Sequence, residues 1–184
     1  MKLYLVEHGE PDYTEAERAG YMGHGLDLAK LTERGRKQAE MAAEDSRLKS
    51  AEIIIASPYT RALQTAAILS QRLNKPLTVE TFLPEWMPDV TFQYRNALHM
   101  PEILEEMRQR GGEWDESCQY HWESISHVGE RVFTSLRKYL SYSSVIVAAH
   151  GLVIQRFVKA KDVSHGSLWE VDFQEDSVPL GYYE

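Results

Sequence analysis

Lys2-Leu3-Tyr4-Leu5-Val6-Glu7-His8-Gly9-Glu10-Pro11 decides how the chain is read. A short, mostly apolar run ends in a polar turn headed by His8 and broken by Gly9. The pattern returns downstream as Val145-Ile146-Val147-Ala148-Ala149-His150-Gly151, and a third run, Ile53-Ile54-Ile55-Ala56, empties into Ser57-Pro58 with Arg61 just beyond. Short continuous apolar runs of this kind read as strands of a parallel sheet covered on both faces. Ligands of such sheets bind outside the carboxyl ends of the strands. Three strand ends that deliver His, Arg and His therefore predict one pocket built for an anion.

Outward from these runs, strand and helix signals alternate. Asp12 to Lys30 is polar and spotted with Gly20, Gly23 and Gly25, and reads as a long loop beside the first strand end. Thr32 is an N-cap candidate for a helix running to about Leu48. Ser57-Pro58 reads as a second helix entry, with Leu63, Ala66, Leu69 and Leu73 at helical spacing before Asn74 and Pro76. A weaker strand spans Leu77 to Phe82 and leads to Glu85. Residues 86–122 are poorly patterned apart from a helix from Pro101 to Arg110, and this is where a substrate cap is expected. An amphipathic helix follows from Ser126, with Val128, Val132, Phe133, Leu136 and Leu140 on one face. After the Val145 strand come a helix from about Leu152 to Val158 and a last strand near Ser167 to Phe173. The expectation is one α/β domain over residues 1–184, a three-layer α/β/α sandwich on a mostly parallel sheet.

The 184 residues suffice for a full core, and 43% hydrophobic with 26% charged residues is ordinary for a globular protein. A net charge of -8 argues against nucleic acid or an anionic membrane as partner. Cys118 stands alone, so no disulfide framework exists within the chain, and nothing beside it in sequence would lower its pKa. With no apolar run near the ~18 residues of a membrane span and no secretory leader read at the start, the expected compartment is the cytoplasm.

Taken together, the runs and turns resemble the histidine phosphatase superfamily, also called the phosphoglycerate mutase-like family. The resemblance is carried by His8-Gly9-Glu10, by Leu31-Thr32-Glu33-Arg34-Gly35 with Gln38-Ala39, by Ser57-Pro58-Tyr59-Thr60-Arg61-Ala62-Leu63-Gln64-Thr65-Ala66, by Glu85 and by Ala149-His150-Gly151. Gly23-His24-Gly25-Leu26-Asp27-Leu28 through Gly35 is similar to the small phosphatase branch, and a mutase is disfavoured because the chain is compact and acidic. The resemblance implies that His8 is a nucleophile that becomes a phosphohistidine, that His150 faces it as a cation, and that Arg61 offers a planar fork to phosphate. Glu85 would protonate the leaving oxygen. Ser57, Gly9 and Gly151 would line the phosphate site. The scheme requires no cofactor and no metal. Its partner is a small phosphorylated metabolite, with a homodimer left open. His24, His99, His121, His127 and His165 carry no motif and read as surface or loop residues, while Trp86 and Trp114 either line the substrate mouth or, as tryptophans in such loops more often do, cover the core.

One position departs from the family pattern, which has arginine immediately before the first histidine where this chain has Glu7. A unit charge ~4 Å from the phosphate at an effective dielectric of about 20 is worth about 4 kcal/mol, so a reversed sign weakens phosphate or transition-state binding. Three explanations follow. The fold binds rather than turns over; or Arg18, Lys30 or Arg95 restores the missing charge; or Glu7, His8, Glu85 and His150 form an oxygen-nitrogen metal set.

Overall fold

The computed structural model describes residues 1–93 and 99–182. Its elements in chain order are β1 (Lys2–Glu7), β2 (Pro11–Asp12), α1 (Thr14–Arg18), a 3-10 turn (Gly23–Leu28), β3 (Lys30–Leu31), α2 (Glu33–Ala43), a second 3-10 turn (Ser46–Ser50) and β4 (Ile53–Ala56). There follow α3 (Thr60–Leu73), β5 (Leu77–Val79), α4 (Met100–Gln109), α5 (Ile125–Arg137), β6 (Ser144–Ala149), α6 (Gly151–Ile154) and β7 (Leu168–Asp172).

Five strands form a sheet in the order β5-β4-β6-β1-β7; the first four are mutually parallel and β7 is antiparallel to β1. The fold class read from the sequence is the one observed. Because side chains alternate across a strand, each buried strand feeds two cores. Leu3, Leu5, Ile53, Ile55, Val145 and Val147 meet Trp122 and residues of α4 and α5 such as Ile103 and Phe133 on one face. Tyr4, Val6, Ile54, Ala56, Ile146 and Ala148 meet Ala42, Ala43, Ala66 and Leu69 of α2 and α3 on the other. Each fully buried aliphatic side chain contributes roughly 1.5–3 kcal/mol. The two covered faces explain the unbroken apolar runs. The register pairs Glu7 with Ala149 and Ala56 with Ala148, so the chain leaves three neighbouring strands at one edge, at His8, His150 and Ser57.

Several element bounds differ from the sequence reading. The Asp12–Lys30 stretch is not a plain loop: Pro11 and Asp12 pair with Leu31 and Lys30 around α1 and the first 3-10 turn. Helix α2 stops at Ala43, and Asp45 caps a separate 3-10 turn through Arg47 N–H. Ser57 is not the cap of α3. That helix begins two residues past Pro58, with Tyr59 at the N-cap and no side-chain cap bond; Ser57 Oγ accepts from Tyr59 N–H at 3.3 Å and also meets His150. Asn74, at φ 52°, ends α3 in the left-handed conformation, as Asn before Lys-Pro allows. Residues 86–122 contribute Trp86, Ile103, Met107 and Trp122 to the main core. Trp114 packs against that core and donates its indole N–H to Tyr120 O, away from any substrate mouth.

The loop after β1 is pinned from two sides. Thr32 caps α2 by accepting from Gly35 N–H and donates its hydroxyl to Glu10 Oε2 at 2.7 Å; Gln38 Oε1 accepts from Glu10 N–H at 2.8 Å. From α3, Thr65 Oγ1 accepts from Gly9 N–H at 3.0 Å. A Cβ on Gly9 would sit 2.2 Å from Gly35 O, and one on Gly35 would sit 2.3 Å from Glu10 O. Two backbones touch where only glycine fits. Gly35→Ala is expected to cost about 1–3 kcal/mol or more, by overpacking against a backbone that is held in place, read as a lower urea midpoint at unchanged m-value. An unchanged midpoint would show that the loop can retreat.

Candidate active site

Burial and the hydrogen bond at Nδ1 define the tautomer of His8. Its side chain is almost entirely enclosed, and Nδ1 lies 2.8 Å from the carbonyl oxygen of Gly9. A carbonyl can only accept, so the ring proton is on Nδ1 and Nε2 carries the free lone pair. Burial lowers the pKa of His8 to about 3, so the imidazole is neutral. Arg61 Nε donates to Nε2 at 3.2 Å.

His150, wholly buried, follows β6 with its ring centroid 5.2 Å from that of His8. Its Nε2 is 2.7 Å from Ser57 Oγ, and its Nδ1 has no partner among the described residues. Burial first, then Arg61 and His8, push its pKa well down. The cationic His150 expected from the resemblance is therefore not the form in the free protein.

Arg61, in the first turn of α3, is buried and engaged through Nε and Nη1. Besides His8, its guanidinium donates to Asp27 Oδ1 at 2.9 Å and lies 5.1 Å over the Tyr59 ring. Asp27 also stands 3.6 Å from His24 Nδ1, and His24 in turn contacts Asp89 O through Nε2. Glu85 accepts Trp86 N–H at Oε1 and Leu152 N–H at Oε2, at 2.8 and 3.2 Å. Burial outweighs these two bonds and raises its pKa, which suits a carboxyl that must carry a proton.

Gly9 donates its amide to Thr65, and its carbonyl accepts from His8, so both of its backbone polar groups hold the turn and the ring in place. Gly151 opens α6 with its Cα turned to Glu85, where a Cβ would lie 3.9 Å from Oε2.

Glu7 is 4% exposed, and its Oε1 is 3.3 Å from His8 Nε2. An ionised carboxylate facing a lone pair would be repelled. Burial, and then the neighbouring Glu85, raise its pKa well above normal, so Glu7 is held as the neutral acid. It does not pair with Arg61, whose partners are Asp27 and His8. Lys30 offers no replacement charge, because it is paired with Glu15 at 2.6 Å, and Arg18 is exposed in the last turn of α1. Arg95 lies outside the described residues.

Beside these groups opens a cavity of about 350 Å³, with Tyr13, Leu26, Trp86, Pro88, Met100 and Leu104 among its walls and Arg61, Asp27 and Glu85 at its polar end. Segment 86–122 thus supplies a good part of the wall. The structure brings His8, Arg61, Glu85, His150 and Ser57 together at one end of the sheet. The sequence reading missed Asp27, His24 and His165, whose ring is 5.3 Å from that of His8, because a lone acid or histidine in a glycine-rich stretch has no spacing to mark it.

Residues 3–179 match the histidine phosphatase superfamily (branch 1), and the chain belongs to that family. It is 25% identical over 157 residues to phosphoserine phosphatase 1 of Hydrogenobacter thermophilus, covering 82% of this chain and 71% of that protein. It is 34% identical over 84 residues to glucosyl-3-phosphoglycerate phosphatase of Mycolicibacterium vanbaalenii, covering 46% and 36% of the two chains. In structure it resembles the alpha-ribazole phosphatase from Shigella flexneri with a TM-score of 0.67 at 20% identity, over 100% of this chain and 96% of the other, a likeness of fold. No helix among the described residues is long and apolar enough to cross a membrane.

The ion pair with Asp27 sets a direct expectation for anion affinity. Asp27→Asn releases the guanidinium, and inorganic phosphate should bind about tenfold tighter by calorimetry, since a hydrogen bond to a charged group contributes about 1.5–3 kcal/mol. Unchanged or weaker binding would mean that Arg61 reaches the anion while still paired.

Proposed function

We propose that this chain hydrolyses small phosphomonoesters through a phosphohistidine on His8, at a rate reduced by Glu7. The observation that carries this is the Nε2 lone pair of a buried, neutral His8, aimed by Gly9 and placed beside Arg61 and His150. In the first step Nε2 bonds to phosphorus as the P–O ester bond breaks, and the leaving oxygen takes the proton of Glu85. In the second, water attacks phosphorus and gives a proton to Glu85, and the N–P bond breaks to release phosphate and His8. The incoming anion draws Arg61 from Nε2 and favours a proton on His150, whose Nδ1 is otherwise unpartnered. Ser57 holds the other nitrogen of that ring. The apolar walls of the cavity suit an alcohol portion with carbon surface, and segment 86–122 acts as its cap.

Glu7 stands where the family resemblance expects a phosphate-binding arginine. Because it is held neutral, the loss is that of one cationic ligand, smaller than the full charge reversal the sequence suggests. This same residue favours a second reading, a phosphate-ester binding protein with little turnover, since Arg61 is the one cation among the described residues lining the cavity.

Hydrolysis of an aryl phosphate separates the two readings. The native chain is expected to turn over slowly, His8→Ala to lose the activity, and Glu7→Arg to gain about 10–100-fold in kcat/KM, from a charged hydrogen bond of about 1.5–3 kcal/mol. A silent native chain switched on by Glu7→Arg supports the binding reading, and activity that survives His8→Ala refutes the phosphohistidine.

Glu85 sets the pH dependence. Its raised pKa keeps the acid form to higher pH, so kcat/KM for an alkyl phosphate should fall as pH rises through that pKa. Glu85→Gln should remove this limb and about 10²–10⁴-fold of the rate. Retention of the limb in the variant would assign the acid elsewhere.

A further inference from the structure

We propose that Glu7, His8 and His165 form a binding site for one transition-metal ion of the Zn²⁺ class, and that occupancy masks the His8 nucleophile. The regulatory half rests on the phosphohistidine reading above; the metal site does not. One ligand atom from each of the three residues lies within 4.8 Å of the others. Nitrogen and oxygen ligands at about 2.0–2.1 Å around a tetrahedral ion stand about 3.4 Å apart, so the set closes with a modest turn of one side chain. His165 is the exposed member and can make that turn, while Glu7 and His8 are fixed by burial.

The backbone holds His165 where the ion needs it. Gly166 N–H lies 3.2 Å from Glu7 O and 3.3 Å from His8 O, and Glu7 N–H donates to Ser167 O at 3.0 Å. The turn carrying the third ligand is thus bonded to the strand end carrying the other two. Gly166, at φ +76°, allows that turn.

His8 is dressed as metal-ligating histidines are, with Nδ1–H on a backbone carbonyl and Nε2 presented to the ligand. Glu7 supplies the independent sign. Its Oε2 is buried with no partner among the described residues, and its Oε1 touches the same Nε2 that the ion would take. Binding sends the proton of Glu7 to solvent, and the carboxylate so formed with two imidazoles suits zinc, copper, nickel or iron and leaves open positions for water or a phosphate oxygen. Arg61 opposes a cation here, but its charge is already matched by Asp27, and an ion at Nε2 displaces only its Nε contact. Among the described residues the group that closes is Glu7, His8 and His165, and the four-residue set considered from sequence, with Glu85 and His150, is not one.

The test is a Zn²⁺ titration of the full chain, stripped with a chelator, against a chromogenic zinc indicator. One equivalent should bind, and Glu7→Gln and His165→Ala should each weaken it at least tenfold, as loss of a supporting group at a metal site typically does. The first variant is isosteric and the second is at an exposed position, so both should fold. No binding, or binding that both variants leave unchanged, overturns the site and assigns any zinc to surface histidines. In parallel, zinc at the same concentration should inhibit aryl phosphate hydrolysis by the native chain, and excess chelator should restore it. Binding without inhibition overturns the masking role. Binding by a chain that never hydrolyses an ester removes the phosphatase reading and the masking with it, and keeps the metal site.

Discussion

The contact between Gly9 and Gly35 is the constraint on which the site depends. With backbone against backbone and no room for a Cβ on either, the turn after β1 has one seat. Its carbonyl then accepts the Nδ1 proton of His8, which settles the tautomer. The Leu31-Thr32-Glu33-Arg34-Gly35 motif and Gln38 make sense from this point: cap, close approach and amide hook all serve the loop that holds one imidazole. Gln64 and Thr65 brace the same region from α3, through Leu31 N–H and Gly9 N–H. Parts far apart in the chain converge on a single ring.

Around that ring the protein removes charge. Burial lowers the pKa of His8 and His150 and raises that of Glu7 and Glu85, each toward its uncharged form, and the guanidinium of Arg61 is matched by Asp27. Such a site is near neutral until an anion enters, and the anion supplies the reason to redistribute protons and to free Arg61. In a dry pocket each of those shifts is worth more than in water. Glu7 is the member that does least for an incoming phosphate, and its unpartnered oxygen gives a metal ion its opening.

The sheet and its site edge were legible because parallel strands covered on both faces leave continuous apolar runs, and because residues leaving adjacent strand ends must meet. Ile53-Ile54-Ile55-Ala56 is β4 to the residue. Ser57 was misread as a cap because serine before proline serves equally at a helix start and at a buried histidine, and sequence does not show which partner is nearer. His165 and Asp27 were illegible for a different reason. Each reaches the site through tertiary bonds, the Gly166 amide on Glu7 and His8 in one case and the Arg61 pair in the other, and neither leaves a periodic trace. From sequence the full charge reversal at Glu7 is an upper bound that protonation would reduce, and burial moves its pKa in that direction.

The most direct test of the account is to mix the chain with a radiolabelled phosphomonoester, quench within a single turnover, and map the label by mass spectrometry. The account predicts an acid-labile, base-stable phosphoryl group on His8, absent from His8→Ala. Product formation with no label on His8, or label on another residue, would contradict it.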